Sequence, residues 1–161
     1  MKEYWVIYMY LWIIVAVVVT VADQLSKLLI SNFVDAADRL VFIPGVIDIV
    51  SVKNTGAAFS MFSNHTWVLG IVSALFCIGI VIYMIKKKPH GTLFNLTCGL
   101  LLGGALGNGI DRIARGFVID FIETVFIEFP VFNIADIAIT IGAALLIILA
   151  SRSEKKDIKE G

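Results

Sequence analysis

Two aspartates carry the most chemistry in this sequence. Asp120 lies inside the apolar stretch "FVIDFI", and Asp136 lies in "FNIAD", just before the uncharged run "IGAALLIILA" at Ile141–Ala150. A carboxylate is among the costliest groups to place in apolar surroundings, so one found there is held by specific neighbours or used. Brought together, two carboxylates cannot both ionise cheaply; they share a proton and titrate as a coupled pair. One then takes a proton from water while the other donates one to a carbonyl, which is acid–base chemistry suited to hydrolysing an amide. No Ser, Cys or His is placed as a rival nucleophile. Ser26 has Lys27 beside it, but adjacent residues on a helix point in different directions.

Further polar residues gather around this pair. Asp23 and Lys27 in "DQLSK" are four apart and share a helix face. Asn54 opens "NTGAAFS", followed by Gly56 and Ala57, small residues that admit a close backbone. Asn108, Asp111 and Arg112 close "GGALGNGIDR", and Asn133 stands one turn before Asp136. Most have a plainer reading beside the functional one. Asp23 and Lys27 read as an interfacial ion pair, and Asp111 as a partner for Arg112 or Arg115. Arg112 reads as a side chain reaching for headgroups, Asn54-Thr55-Gly56 as a turn, and Asn133 as a helix N-cap. Asp120 and Asp136 are hardest to assign a purely structural role.

The elements that position these residues follow from composition. Of 161 residues, 59% are hydrophobic and 16% charged, far more apolar than a soluble domain. Uncharged runs at Tyr4–Ala22, Thr66–Ile85 and Thr92–Ile110, with Asn133–Ser151 broken only by Asp136, match the roughly 20 residues that cross a bilayer. The expected fold is all-α and polytopic, one membrane domain over residues 1–161. Its helices fall at about 4–30, 66–85, 92–113 and 133–151, with extracytoplasmic segments at about 31–65 and 114–132. "RLVFIPGVIDIVSV" reads as a hairpin turning at Pro44-Gly45, and "FVIDFIETVFIEF" as a second short strand pair. A small β-sheet cap is therefore expected on the outer membrane surface, meeting headgroups or a lipid-bearing ligand; a cap with its own buried core is the plainer alternative. Gly99, Gly103 and Gly107, at intervals of four, read as a helix-packing stripe.

Net charge is zero, but it is unevenly spread. Alternating helices put eight basic and four acidic residues on the side of the termini and "KKKPH", against five basic and nine acidic on the other. The basic side is expected to be cytoplasmic, which places every candidate residue near the extracytoplasmic face. The first apolar run is too long, and its basic start too slight, for a cleaved signal peptide. Cys77 and Cys98 fall inside helices as packing residues, and His65 and His90 are isolated, so no metal site is expected. An ion or proton transporter would need polar groups through the membrane thickness. The second helix offers only Thr66, Ser73 and Tyr83, so that reading and a non-catalytic scaffold rank below hydrolysis.

With these blocks in order, the chain resembles the lipoprotein signal peptidase (signal peptidase II) family of bacterial intramembrane aspartyl proteases. "DQLSK", "NTGAAFS", "GGALGNGIDR", "VIDFI" and "FNIAD" carry the resemblance over nearly the whole chain. Ser26, where the family often has Thr, keeps the hydroxyl. The resemblance implies cleavage of the signal peptide from a diacylglyceryl-modified prolipoprotein, just before the lipidated cysteine. It puts the catalytic pair at Asp120 and Asp136, with Asp23, Lys27, Asn54, Gly56, Ala57, Asn108, Arg112 and Asn133 in support, and Asp111 beside them. It implies no metal or other cofactor and no nucleic acid, sensitivity to globomycin-like cyclic peptides, a bacterial cytoplasmic membrane location and a monomer among membrane lipids.

Overall fold

A computed structural model of the chain describes residues 2–56 and 66–160. The four apolar runs form α1 (Lys2–Phe33), α2 (Thr66–Lys87), α3 (Thr92–Ala114) and α4 (Ile134–Glu160). Each contains a stretch long and apolar enough to cross a membrane: Tyr10–Phe33, Thr66–Lys87, Thr92–Ala114 and Ile134–Arg152.

The third helix is the hub. Within its span 67% of residues are buried, against 17% in each of the others, so α1, α2 and α4 surround it and turn most of their surface to lipid. Lipid tails are as apolar as the side chains, so helices associate by close packing rather than by burial from water. Glycine makes that possible here. A Cβ added at Gly99 or Gly103 would lie 2.8 Å from the carbonyl oxygen of Trp12 or Ala16 on α1. One added at Gly104 would lie 2.6 Å from the Ala135 oxygen on α4. Thr20 fastens the α1 seam, its hydroxyl donating to the carbonyls of Ala16 at 2.8 Å and Gly103 at 3.1 Å. Trp12, Ala16, Cys77, Met84, Cys98, Leu102 and Ala105 form the apolar core on the other half of the bundle.

One end of the bundle carries an antiparallel sheet of β1 (Leu40–Ile43), β2 (Ile47–Asn54) and β3 (Val118–Thr124), in that order. The expected hairpin forms, with Gly45 at φ 73° and Val46 N–H donating to Ile43 O. Every side chain of β1 is exposed, which removes the reading of a cap with its own core at that strand. β2 pairs with β3, Val52 opposite Asp120 and Asn54 opposite Val118.

The second expected strand pair is replaced by a single strand. β3 gives one edge to β2, and among the described residues its other edge meets only Phe132, through an isolated bridge with Ile122. The intervening residues contain Pro130, which has no N–H for a ladder, and the chain must turn into α4 immediately after Phe132. The first four residues of β3, Val118–Phe121, are buried on both faces between the sheet and the helix ends. Asp120 is thereby carried to the start of α4.

Candidate functional site

Asn133 and Asp136 build the N-terminus of α4 between them. Asn133 Oδ1 accepts the Asp136 N–H at 2.9 Å, and Asp136 Oδ2 accepts the Asn133 N–H at 3.1 Å. This is a reciprocal capping box, with Asp in place of the usual Glu or Gln. A further first-turn donor, the Ala135 N–H, is taken by Asp23 Oδ1 of α1 at 3.0 Å. Two carboxylates thus meet the positive end of the helix, where negative charge is favoured. The N-cap reading of Asn133 holds, and it explains how an aspartate is retained at the mouth of an apolar run.

Three amide side chains aim their N–H groups at Asp120 and Asp136, and in each the orientation is dictated from behind. The Asn54 oxygen accepts the Gly56 N–H at 2.9 Å, so its Nδ2 donates to Asp120 Oδ2 at 2.8 Å. The Asn133 oxygen is occupied by the Asp136 N–H, so its Nδ2 donates to Asp120 Oδ1 at 2.6 Å. The Asn108 oxygen accepts from Lys27 Nζ at 3.0 Å, which has nothing but protons to offer, so Asn108 Nδ2 donates to Asp136 Oδ1 at 2.7 Å. All four carboxylate oxygens of the pair receive a donor. Asn133 joins the two residues, one through its side chain and the other through its backbone.

Behind the amides lies a fully buried ionic cluster. Lys27 Nζ sits 2.8 Å from Asp23 Oδ2 and 2.8 Å from Asp111 Oδ2, with all three side chains at 0% exposure. Together with Asn108 this gives its three protons three acceptors. Asp111 also binds Arg115, and of the two arginines it is Arg115 rather than Arg112 that pairs with it among the described residues. Lys27 alone leaves the buried trio one negative charge in excess, and Arg115, whose side chain is 31% exposed, offsets it from the edge. Asp23, Lys27 and Asp111 therefore lie behind the carboxylate pair rather than beside the space in front of it.

That space is a cleft of about 770 Å³. Asn54, Gly56, Asn108, Arg112, Asp120 and Asp136 line it, and Phe129–Phe132 with the Ile137 face of α4 form apolar walls. Arg112 contributes a buried Nε with no hydrogen-bond acceptor among the described residues. Burial pushes the Asp120 carboxyl up to about 6; the Asn54 hydrogen bond opposes this, the nearby Asp136 charge adds to it, and Asn133 and Lys27 oppose it.

Of the residues singled out by sequence, Ala57 lies outside the described residues. Gln24, inside "DQLSK", is not among the residues singled out by sequence, yet its Nε2 reaches Asp23 at 3.3 Å, Asp111 at 3.2 Å and the Gly107 carbonyl at 3.1 Å. Asking what satisfies two buried carboxylates on neighbouring helices would have pointed to it. Gly107 belongs to the packing stripe for a more particular reason: an added Cβ would fall 2.5 Å from Asp23 Oδ2.

Known proteins resemble this chain in sequence and in overall fold. The family model described as signal peptidase (SPase) II matches residues 15–152. The lipoprotein signal peptidase of Halalkalibacterium halodurans is 38% identical over 152 residues, covering 93% of this chain and 97% of that protein. That of Shouchella clausii is 40% identical over 150 residues, 91% of this chain and 98% of its own. A solved bacterial membrane enzyme structure matches with a TM-score of 0.85 at 36% identity, covering 90% of each chain. A second matches with 0.78 at 38% identity, covering 86% of this chain and 91% of that one.

Proposed function

We propose, because this chain belongs to the signal peptidase II family, that it removes signal peptides from lipid-modified prolipoproteins by cutting before the lipidated cysteine. Asp120 and Asp136 are the two carboxylates that activate water. The observation that carries this reading is their joint suspension from Asn133 at the wall of one cleft. An ionised member of the pair takes a proton from water, and the resulting hydroxide attacks the carbonyl carbon of the scissile bond. The protonated member donates to the carbonyl oxygen. When the tetrahedral intermediate collapses, the C–N bond breaks and a proton passes to the leaving amine. The amides around the pair leave the carboxylates little freedom to turn away, which is preorganisation of the kind that lowers reorganisation cost.

The remaining polar groups fit an extended peptide laid in the cleft. Arg112 Nε is a donor awaiting an acceptor, and a substrate carbonyl supplies one. Gly56 at the cleft edge admits a close backbone. The diacylglyceryl chains stay in the bilayer beside the helices. The positive-inside pattern supports a reading with both termini in the bacterial cytoplasm and the cleft at the extracytoplasmic face. The chain acts as a monomer without metal, and globomycin-like cyclic peptides are expected to compete for the cleft. The gathering of buried charge at one end of the bundle supports hydrolysis over ion transport.

The test is a gel-shift assay in detergent with a diacylglyceryl-modified prolipoprotein. Wild type is expected to cut, while Asp120→Asn and Asp136→Asn remain folded and lose at least about a thousandfold in kcat, as when acid–base groups are removed elsewhere. An intact substrate with wild type, or efficient cutting by either variant, overturns the assignment.

A further inference from the structure

Below Asp136 the cleft runs along α4 toward the membrane interior, and its lining there is almost wholly apolar. On α4 it comprises Ile137, Ile139, Thr140 and Ile141, so Thr140 supplies the polar side chain at that depth. Thr140 is four residues after Asp136, on the same helix face and about 6 Å further in. Its position is exposed to the cleft. Hydroxyls on helices can bond back to a carbonyl one turn earlier. Thr20 does so to Ala16 O, Thr97 to Leu93 O and Ser151 to Ile147 O. The Thr140 hydroxyl makes no hydrogen bond among the described residues.

An extended peptide entering this cleft brings backbone groups that have no water to bond at bilayer depth. Apolar walls cannot satisfy them. We propose that Thr140 is a substrate-binding residue whose hydroxyl donates to a backbone carbonyl on the signal-peptide side of the scissile bond. This rests on the peptidase reading above. The register follows from two rises. About 6 Å along the helix corresponds to roughly two residues of extended chain at about 3.3 Å each, so the acceptor is the carbonyl about two residues before the bond cut. A hydrogen bond to the backbone rather than to a side chain holds the strand in register while tolerating varied sequence.

The experiment uses the full chain in detergent with the diacylglyceryl-modified prolipoprotein, comparing wild type, Thr140→Val and Thr140→Ser. Valine keeps the shape and the β-branch and removes only the hydroxyl; serine keeps the hydroxyl. The expected result is a loss of about tenfold in kcat/KM for Thr140→Val, the size of one hydrogen bond, with serine within about twofold of wild type and all three melting alike. A second substrate carries an ester in place of the amide at the proposed acceptor, which weakens that carbonyl. On it the defect of Thr140→Val relative to wild type is expected to shrink. Equal rates on the amide substrate overturn the inference, as does a valine defect that persists undiminished on the ester. Failure of wild type to cut either substrate overturns the peptidase reading itself, so the two failures are distinguishable.

Discussion

Lys27 holds three acceptors on three protons in a place no water reaches, and its role is to orient as well as to neutralise. Its bonds to Asp23 and Asp111 tie α1 to α3, and its bond to Asn108 fixes which end of that amide faces Asp136. Removing one member of a buried ionic group leaves the others uncompensated. Lys27→Met is therefore expected to lower stability by about 3–5 kcal/mol, read as a depressed melting temperature in detergent. Asp120 makes a second prediction. Its folded carboxyl titrates at about 6, above the roughly 3.9 of an unfolded chain, so the folded protein binds the proton first as pH falls. The associated stability is fully present below about pH 4 and lost as pH rises through about 6, at most about 3 kcal/mol. Melting curves from pH 4 to 7 should show this slope in wild type and a shallower one in Asp120→Asn. Coupling of the pair also predicts a bell-shaped rate profile, and a rate flat across the acidic range would argue against a shared proton. Asp120 and Asp136 stood out in the sequence because charge inside an apolar run is conspicuous. The second task of Asp136, capping its own helix, was not visible, since it depends on the side chain folding back onto Asn133.

At the scale of elements, the glycines of α3 are not interchangeable with those elsewhere. A Cβ at Gly103 meets α1 backbone, whereas one at Gly79 on the lipid-facing side of α2 meets nothing within 4 Å. Gly103→Ala is expected to cost about 1–3 kcal/mol by forcing the helices apart. Gly79→Ala should be neutral or stabilising by up to about 1 kcal/mol through helix propensity. Thermal unfolding of the two variants side by side checks both; an unaffected Gly103→Ala would mean that the seam is looser than it looks. The four helices and the Pro44-Gly45 hairpin were legible because hydropathy and turn residues act locally. The missing second strand pair was not, because "FVIDFIETVFIEF" alternates well enough to form one. What decided against it was competition: β2 took one edge of β3, and α4 had to begin at once.

At the scale of the whole molecule, every buried charge of the site collects at one end of the bundle, beside the sheet. The uneven charge between the two ends predicts which way up this end faces. Single cysteines introduced at Lys87 and Asp38, both exposed, should react with a membrane-impermeant maleimide from opposite sides of intact cells, Asp38→Cys from outside. The native Cys77 and Cys98 are buried and should stay silent in that assay; labelling of Lys87→Cys from outside would invert the orientation. Span number, the sheet hairpin, the end at which polar groups meet and the presence of two carboxylates out of place in apolar runs were all readable from the linear chain, because each rests on hydropathy, on alternation or on a conspicuous charge. The division of labour among those polar groups was decided only on folding. Which amide end faces Asp136, which arginine neutralises Asp111, and which hydroxyl is left facing the cleft depend on donors and acceptors brought together from segments as much as 112 residues apart. A hydrogen bond has direction and an exact count of partners, and neither is written in the order of residues along one strand or helix.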